Sequence, residues 1–245
     1  MAITTATPMA DLARQVHPTT QAVASCAEFR PATRVHRSLL ALVEKRALVW
    51  MARRMPTWVN SDHLTVIGFA GQIATGICYA LAARERRMLL AAVVCIAVNW
   101  FGDSLDGTLA RVRQQQRPRY GFYVDHILDS IGATIMMGGL ALSGCMHPAL
   151  AIGLLIAFLL LSIQYYLATY TLGEFHLSFW RLGPSELRIL LATGNVAMFR
   201  WASVIYGRYR LFDIGGAIGL GVMILMLIVV TLKNTLRLYR EEKIG

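Results

Sequence analysis

The chain has 245 residues, enough for one domain, and 56% hydrophobic residues with a mean hydropathy of +0.51 put it outside the usual range of soluble proteins. Its formal net charge is +10, yet the basic residues flank apolar segments instead of forming a folded basic face. That argues against nucleic acid as a partner and for anionic lipid headgroups. The four cysteines, Cys26, Cys78, Cys95 and Cys145, show no CxxC spacing and two lie in apolar segments, which excludes the usual disulfide framework or zinc site.

Residues 1–33 are rich in Ala, Thr and Pro without sustained periodicity, and the composition predicts a disordered segment; no apolar stretch there has the form of a secretory signal. Residues 34–60 are expected to hold an interfacial amphipathic helix and a linker. Between His36 and Met55, Leu39, Val43, Ala47 and Trp50 follow helical spacing, while Glu44, Lys45, Arg46, Arg53 and Arg54 supply charge. A helix packed on the soluble side of the protein is the alternative. Pro56 to Thr65 then reads as a turn, with Ser61 or Asp62 as the N-cap of the next helix and His63 as an interface residue.

From residue 61 to 235 the apolar runs predict an all-α integral membrane domain of six transmembrane helices, at about 63–82, 88–111, 121–143, 149–171, 186–206 and 211–232. Residues 236–245 would form a cytoplasmic tail. With both termini cytoplasmic, 18 Lys and Arg fall on that side against 5 on the other, and Arg200 lies within a span. This multi-pass arrangement places the connection after residue 111, and the acidic cluster beside it, near the cytoplasmic face. Snorkelling accounts for Arg200; Asn195 has no assigned role.

The chemistry concentrates in DSLDGTLARVRQQQRPRYGFYVDHILD, residues 103–129. Asp103 and Asp106 are three positions apart and Asp125 and Asp129 four, so each pair projects from one face of its own helix. At about 1.5 Å per residue, Asp103 lies roughly 12 Å before Arg111, and Asp129 roughly 12 Å beyond Gly121. Antiparallel packing would therefore set Asp106 opposite Asp125 and Asp103 opposite Asp129. Four carboxylates at one level inside an apolar segment require compensating cations. Oxygen-only ligands suit Mg²⁺ or Mn²⁺, and two such ions can clamp a phosphoryl group during displacement at phosphorus. Gly107 and Ala110 leave the same helix face bare for a ligand, and Gly121 does so on the second helix. Small residues at helix contacts would explain Gly107 and Ala110 alone, but not the four acids.

The pattern Asp-x2-Asp-Gly-x2-Ala-Arg-x9-Gly-x3-Asp-x3-Asp resembles the signature of the CDP-alcohol phosphotransferase family, with all eight positions matched. The resemblance implies six spans and a two-metal site held by Asp103, Asp106 and Asp125, with Asp129 shared or nearby. It also implies a CDP site formed by Asp106, Gly107, Ala110, Arg111, Gly121 and Asp125, where Arg111 helps bind the nucleotide diphosphate through paired hydrogen bonds. Asp129 is then the candidate general base. The other arginines of the loop after Arg111 satisfy the positive-inside bias.

The implied reaction is attack of an acceptor hydroxyl on the β-phosphorus of a CDP-linked alcohol with release of CMP. CDP-diacylglycerol is the expected donor, with CDP-choline or CDP-ethanolamine and diacylglycerol as the alternative, since Asp125-His126 and Ser185-Glu186 are similar to segments of those enzymes. Arg181, Glu186 and Arg188 are placed near the acceptor, because charges returning to the cytoplasmic level would face the acids; interface anchoring is their competing reading. Partners are the donor, the hydroxyl acceptor and membrane lipids, with a homodimer as a further expectation. Two other classes share intramembrane acids. Membrane prenyltransferases use different spacing and lack Gly-x2-Ala-Arg, and a cation transporter leaves Arg111 unexplained.

Overall fold

The computed structural model describes residues 41–172, 184–201, 204–205 and 209–242. Residues 1–33 and Arg181 therefore lie outside the described residues, as do the first positions of the expected interfacial helix. The order is α1 (Ala41–Arg54), α2 (Ser61–Ala82), α3 (Met88–Val112), α4 (Pro118–Leu142), α5 (Pro148–Leu172), α6 (Pro184–Arg200), β1 (Val204–Ile205), β2 (Tyr209–Arg210) and α7 (Leu211–Glu241). The two short strands pair antiparallel, Val204 with Arg210 and Ile205 with Tyr209.

Four of these helices, α2, α3, α5 and α7, are long and apolar enough to cross a membrane, which corrects the expectation of six spans. The two that fall short do so for different reasons. α4 has 25 residues, length enough, but Arg119, Asp125, His126 and Asp129 dilute its apolar content. α6 has only 17 residues and ends at Arg200, where the chain turns into the ribbon; the apolar run expected to continue to residue 206 is not one helix. In α7 just 6% of the most apolar window is buried within the protein, so that side-chain surface is left for lipid. The described residues are thus all-helical apart from the ribbon, with several apolar helices as in a multi-pass membrane protein.

α2 is the helix that positions the others. Along one side Gly68 and Gly71 meet α3 so closely that a Cβ on Gly68 would lie 2.9 Å from Asp103 N, and one on Gly102 2.3 Å from Gly68 N. Along another, a Cβ on Gly76 would lie 2.6 Å from Ile135 O of α4, and one on Gly139 2.0 Å from Gly76 O. Backbones in such contact exchange dispersion over long stretches with no side chain between them. The two acidic helices therefore each lie against α2. α1 and α6 lie on α3, and α5 joins α4 to α7.

α1 is docked by its own apolar face. Leu48 and Ala52 are buried with Val59, Leu64, Leu105 and Leu109, whereas Trp50, Arg46, Arg53 and Arg54 stay exposed. Arg113 fixes the turn after α1 by donating to the carbonyls of Val59, Met55 (3.1 Å) and Pro56 (2.8 Å). The cap of α2 is Asn60, one residue before the expected Ser61 or Asp62, and His63 Nδ1 accepts from Asn60 N at 3.2 Å. Asp62 instead pairs with Arg117. After α3 the chain reverses through Gln114, whose φ of 56° is left-handed, and Pro118 starts α4.

Candidate active site

Asp103, Asp106, Asp125 and Asp129 line one small cavity of about 20 Å³, together with Thr65, Gly68, Phe69 and Gln72 of α2, Asn99 of α3 and Leu128 of α4. The helical spacing explains the convergence: the acids of α3 recur at three residues, those of α4 at four, and α2 supplies the floor between them. Two carboxylates thus enter the cavity from α3 and two from α4.

Each acid of α3 has a specific partner. Asp106 Oδ2 accepts from Thr65 Oγ1 at 2.6 Å. Asp103 Oδ2 accepts from Arg188 Nη2 of α6, and Arg188 Nε donates to Asn99 Oδ1 at 2.9 Å. Asn99 in turn donates through Nδ2 to Gly68 O at 3.0 Å, joining the network to the closest point of the α2–α3 crossing. Arg188 also lies within electrostatic reach of Asp129. Of the expected acceptor residues, Arg188 is thus hydrogen-bonded to one of the acids. Glu186, two positions away and so turned to another side of α6, does not line the cavity, and Arg181 lies outside the described residues.

Toward the α3–α4 connection the site is more open. Arg111 Nη2 donates to Thr108 Oγ1 at 3.0 Å and the guanidinium lies over Gly107, where an added Cβ would meet Nη1 at 3.4 Å. Around Gly121 no atom would lie within 4 Å of an added Cβ. Ala110 is half-buried one turn beyond Asp106.

Thr65, Gln72 and Asn99 were not singled out from sequence. Asn99 had a readable signal, since it precedes Asp103 by four positions on the same face. Thr65 and Gln72 sit seven apart on α2, the spacing of one helix stripe, but nothing in the chain says which stripe meets the acids.

The CDP-alcohol phosphatidyltransferase family matches residues 58–238, most of the chain. The chain belongs to this family. Membership carries transferase chemistry at the family level and agrees with the resemblance drawn from the eight-residue signature. The match starts after α1 and ends within α7, so the whole cavity lies inside it.

The donor set fits a hard divalent cation by its chemistry: the ionisable groups on the cavity wall are four carboxylates, with no thiolate or imidazole among the lining residues. Among the described residues, however, no three acidic, histidine or cysteine groups are arranged as a ready metal cage. Asp103 and Asp106 are turned toward Arg188 and Thr65 instead.

Proposed function

We propose that this protein transfers a phosphatidyl or substituted phosphoryl group from a CDP-alcohol, CDP-diacylglycerol first, to an acceptor hydroxyl, releasing CMP. The observation that carries this reading is the convergence of the four signature carboxylates on one cavity. Asp103, Asp106 and Asp125 would hold Mg²⁺ or Mn²⁺, with Asp129 shared or nearby; when bound, the metals offset the charge of the diphosphate and of the departing CMP. Arg111, over the bare backbone at Gly107, meets the diphosphate, and Ala110 and Gly121 leave room for the nucleotide. Asp129 takes the proton of the acceptor hydroxyl as its oxygen forms the new bond to the β-phosphorus. The bond from that phosphorus to the oxygen bridging to CMP breaks, and CMP leaves with the electron pair. Arg188 orients the acceptor from α6, most usefully one carrying an anionic group.

The site is assigned to the cytoplasmic side. Arg113 ties the end of α1 to the end of α3, so Arg53 and Arg54 share one end of the protein with Arg111, Arg113, Arg117 and Arg119.

The test is an assay of purified protein for radiolabelled CMP release. It crosses CDP-diacylglycerol with serine, glycerol phosphate or inositol phosphate, and CDP-choline or CDP-ethanolamine with diacylglycerol. Release is expected with CDP-diacylglycerol and one polar acceptor. Turnover only with the diacylglycerol arm would reassign the donor, and none with any CDP donor would overturn the reading.

A further inference from the structure

Glu44 stands in the first turn of α1, ahead of the stretch matched to the family. A charged residue of an amphipathic helix ordinarily faces water. This one is half-buried, and its Oε1 accepts two hydrogen bonds from two other helices: Trp100 Nε1 of α3 at 2.8 Å and Ser185 Oγ of α6 at 2.5 Å. Trp100 precedes Asp103 by three positions, and Ser185 precedes Arg188 by three. On both helices the residue held by Glu44 therefore lies about one turn from a member of the Asp103–Arg188 pair.

The clamp has a fixed base. Leu48 and Ala52, one and two turns beyond Glu44 on the same side of α1, are buried against Leu105 and Leu109 of α3. The far end of α6 is held as well, by Arg86 donating to Met198 O and to Trp201 O at 2.8 Å. The near end of α6 is tied to Glu44 through Ser185, one turn before Arg188.

We infer that Glu44 is a positioning residue: it joins α3 to α6 one turn from the Asp103–Arg188 pair and so sets where the Arg188 guanidinium lies against Asp103. The inference rests on the reading of the acid-lined cavity as the active site. Misplacement of an orienting group by about 1 Å can cost large factors in rate, which makes a remote carboxylate visible in kinetics.

The test is a double-mutant cycle of Glu44→Ala with Arg188→Ala, read by thermal midpoint in detergent and by kcat/KM for CMP release from CDP-diacylglycerol with the active acceptor. Alone, Glu44→Ala should lower kcat/KM about tenfold, through KM for the acceptor; in the Arg188→Ala background it should lower it no more than about twofold. The midpoint shift should likewise be smaller in that background. Glu44→Gln keeps the accepting oxygen and should stay within about threefold of wild type. If Glu44→Ala does not fold, Trp100→Phe and Ser185→Ala each remove one bond and should each give part of the loss in the same cycle. Equal midpoint shifts in both backgrounds, a full tenfold loss persisting without Arg188, or a Gln variant as impaired as Ala would overturn the inference. A wild-type protein releasing no CMP would count against the proposed function, while the midpoint cycle would still decide this point.

Discussion

Arg188 of α6 donates through Nη2 to Asp103 of α3, and through Nε to Asn99 one turn earlier on α3. The two charged side chains are only 17% and 28% exposed, so solvent screens the pair far less than a surface ion pair. A cation delivered from a helix 85 positions away in sequence thus meets an acid of the eight-residue signature.

Replacing Arg188 separates its charge from its shape. Arg188→Ala should raise KM for the acceptor at least tenfold with a smaller effect on donor affinity, and should lower stability by about 1–3 kcal/mol, because Asp103 is left facing the other acids without a cation. Arg188→Lys should recover little of the loss, since an ammonium does not span Asn99 and Asp103 as the guanidinium fork does. Steady-state kinetics varying each substrate in turn, with thermal midpoints in detergent, check this; a donor-side defect alone would move Arg188 out of the acceptor role.

Two glycines should respond in opposite ways. Gly102→Ala puts a methyl 2.3 Å from Gly68 N at the α2–α3 crossing and should destabilise by about 2 kcal/mol or more, because neither backbone can yield cheaply. Gly121→Ala meets nothing within 4 Å and should leave the midpoint unchanged or slightly raised. Its effect belongs to ligand approach: affinity for CDP or a CDP-alcohol should fall several-fold. Isothermal titration beside thermal unfolding separates the two, and unchanged affinity in Gly121→Ala would remove this residue from the nucleotide site.

Chelation should abolish CMP release, and Mg²⁺ or Mn²⁺ should restore it. Because binding only to the folded state stabilises, either ion at about 100 times its Kd should add about 2.7 kcal/mol to unfolding. Asp125→Asn should reduce that increment. A midpoint indifferent to both ions would show that the four carboxylates do not take up a divalent cation, whatever the assay gives.

How far the sequence reveals this site depends on whether the relevant distance is local. Both acidic faces are legible because three- and four-residue spacings fix a face without knowledge of the rest. Thr65 reaches Asp106 across 41 positions, and Arg188 reaches Asp103 across 85; no helical period reports such partners. Arg188 is visible as a charge in an apolar region, its partner is not. The number of spans is misread because an apolar run records composition rather than helix ends: α6 stops at Arg200, while Asp125 and Asp129 leave α4 too polar to count. Gly68, Gly71 and Gly76 carry a readable packing signal, yet that α2 is the common neighbour of both acidic helices emerges only when backbone meets backbone at Gly102 and Gly139.

The comparison of Asp129→Asn with Asp106→Asn bears most directly on mechanism. Asp106 accepts from Thr65 and is half-buried on α3, while Asp129 lines the cavity from α4, within reach of Asp103, Asp125 and the Arg188 charge. If Asp129 is chiefly the base, its amide variant keeps the shape of the site and loses only the proton acceptor. Turnover should then fall by about 10² to 10⁴, the usual scale of general-base catalysis, with donor affinity and metal response nearly unchanged. Asp106→Asn should weaken the metal, and through it the diphosphate, so its loss should appear in donor affinity and be partly recovered by raising Mg²⁺ or Mn²⁺. Both variants need turnover and donor affinity measured across a metal titration. Near-normal turnover in Asp129→Asn would refute its role as base, and a metal-dependent loss of donor binding equal to that of Asp106→Asn would make it a metal ligand first.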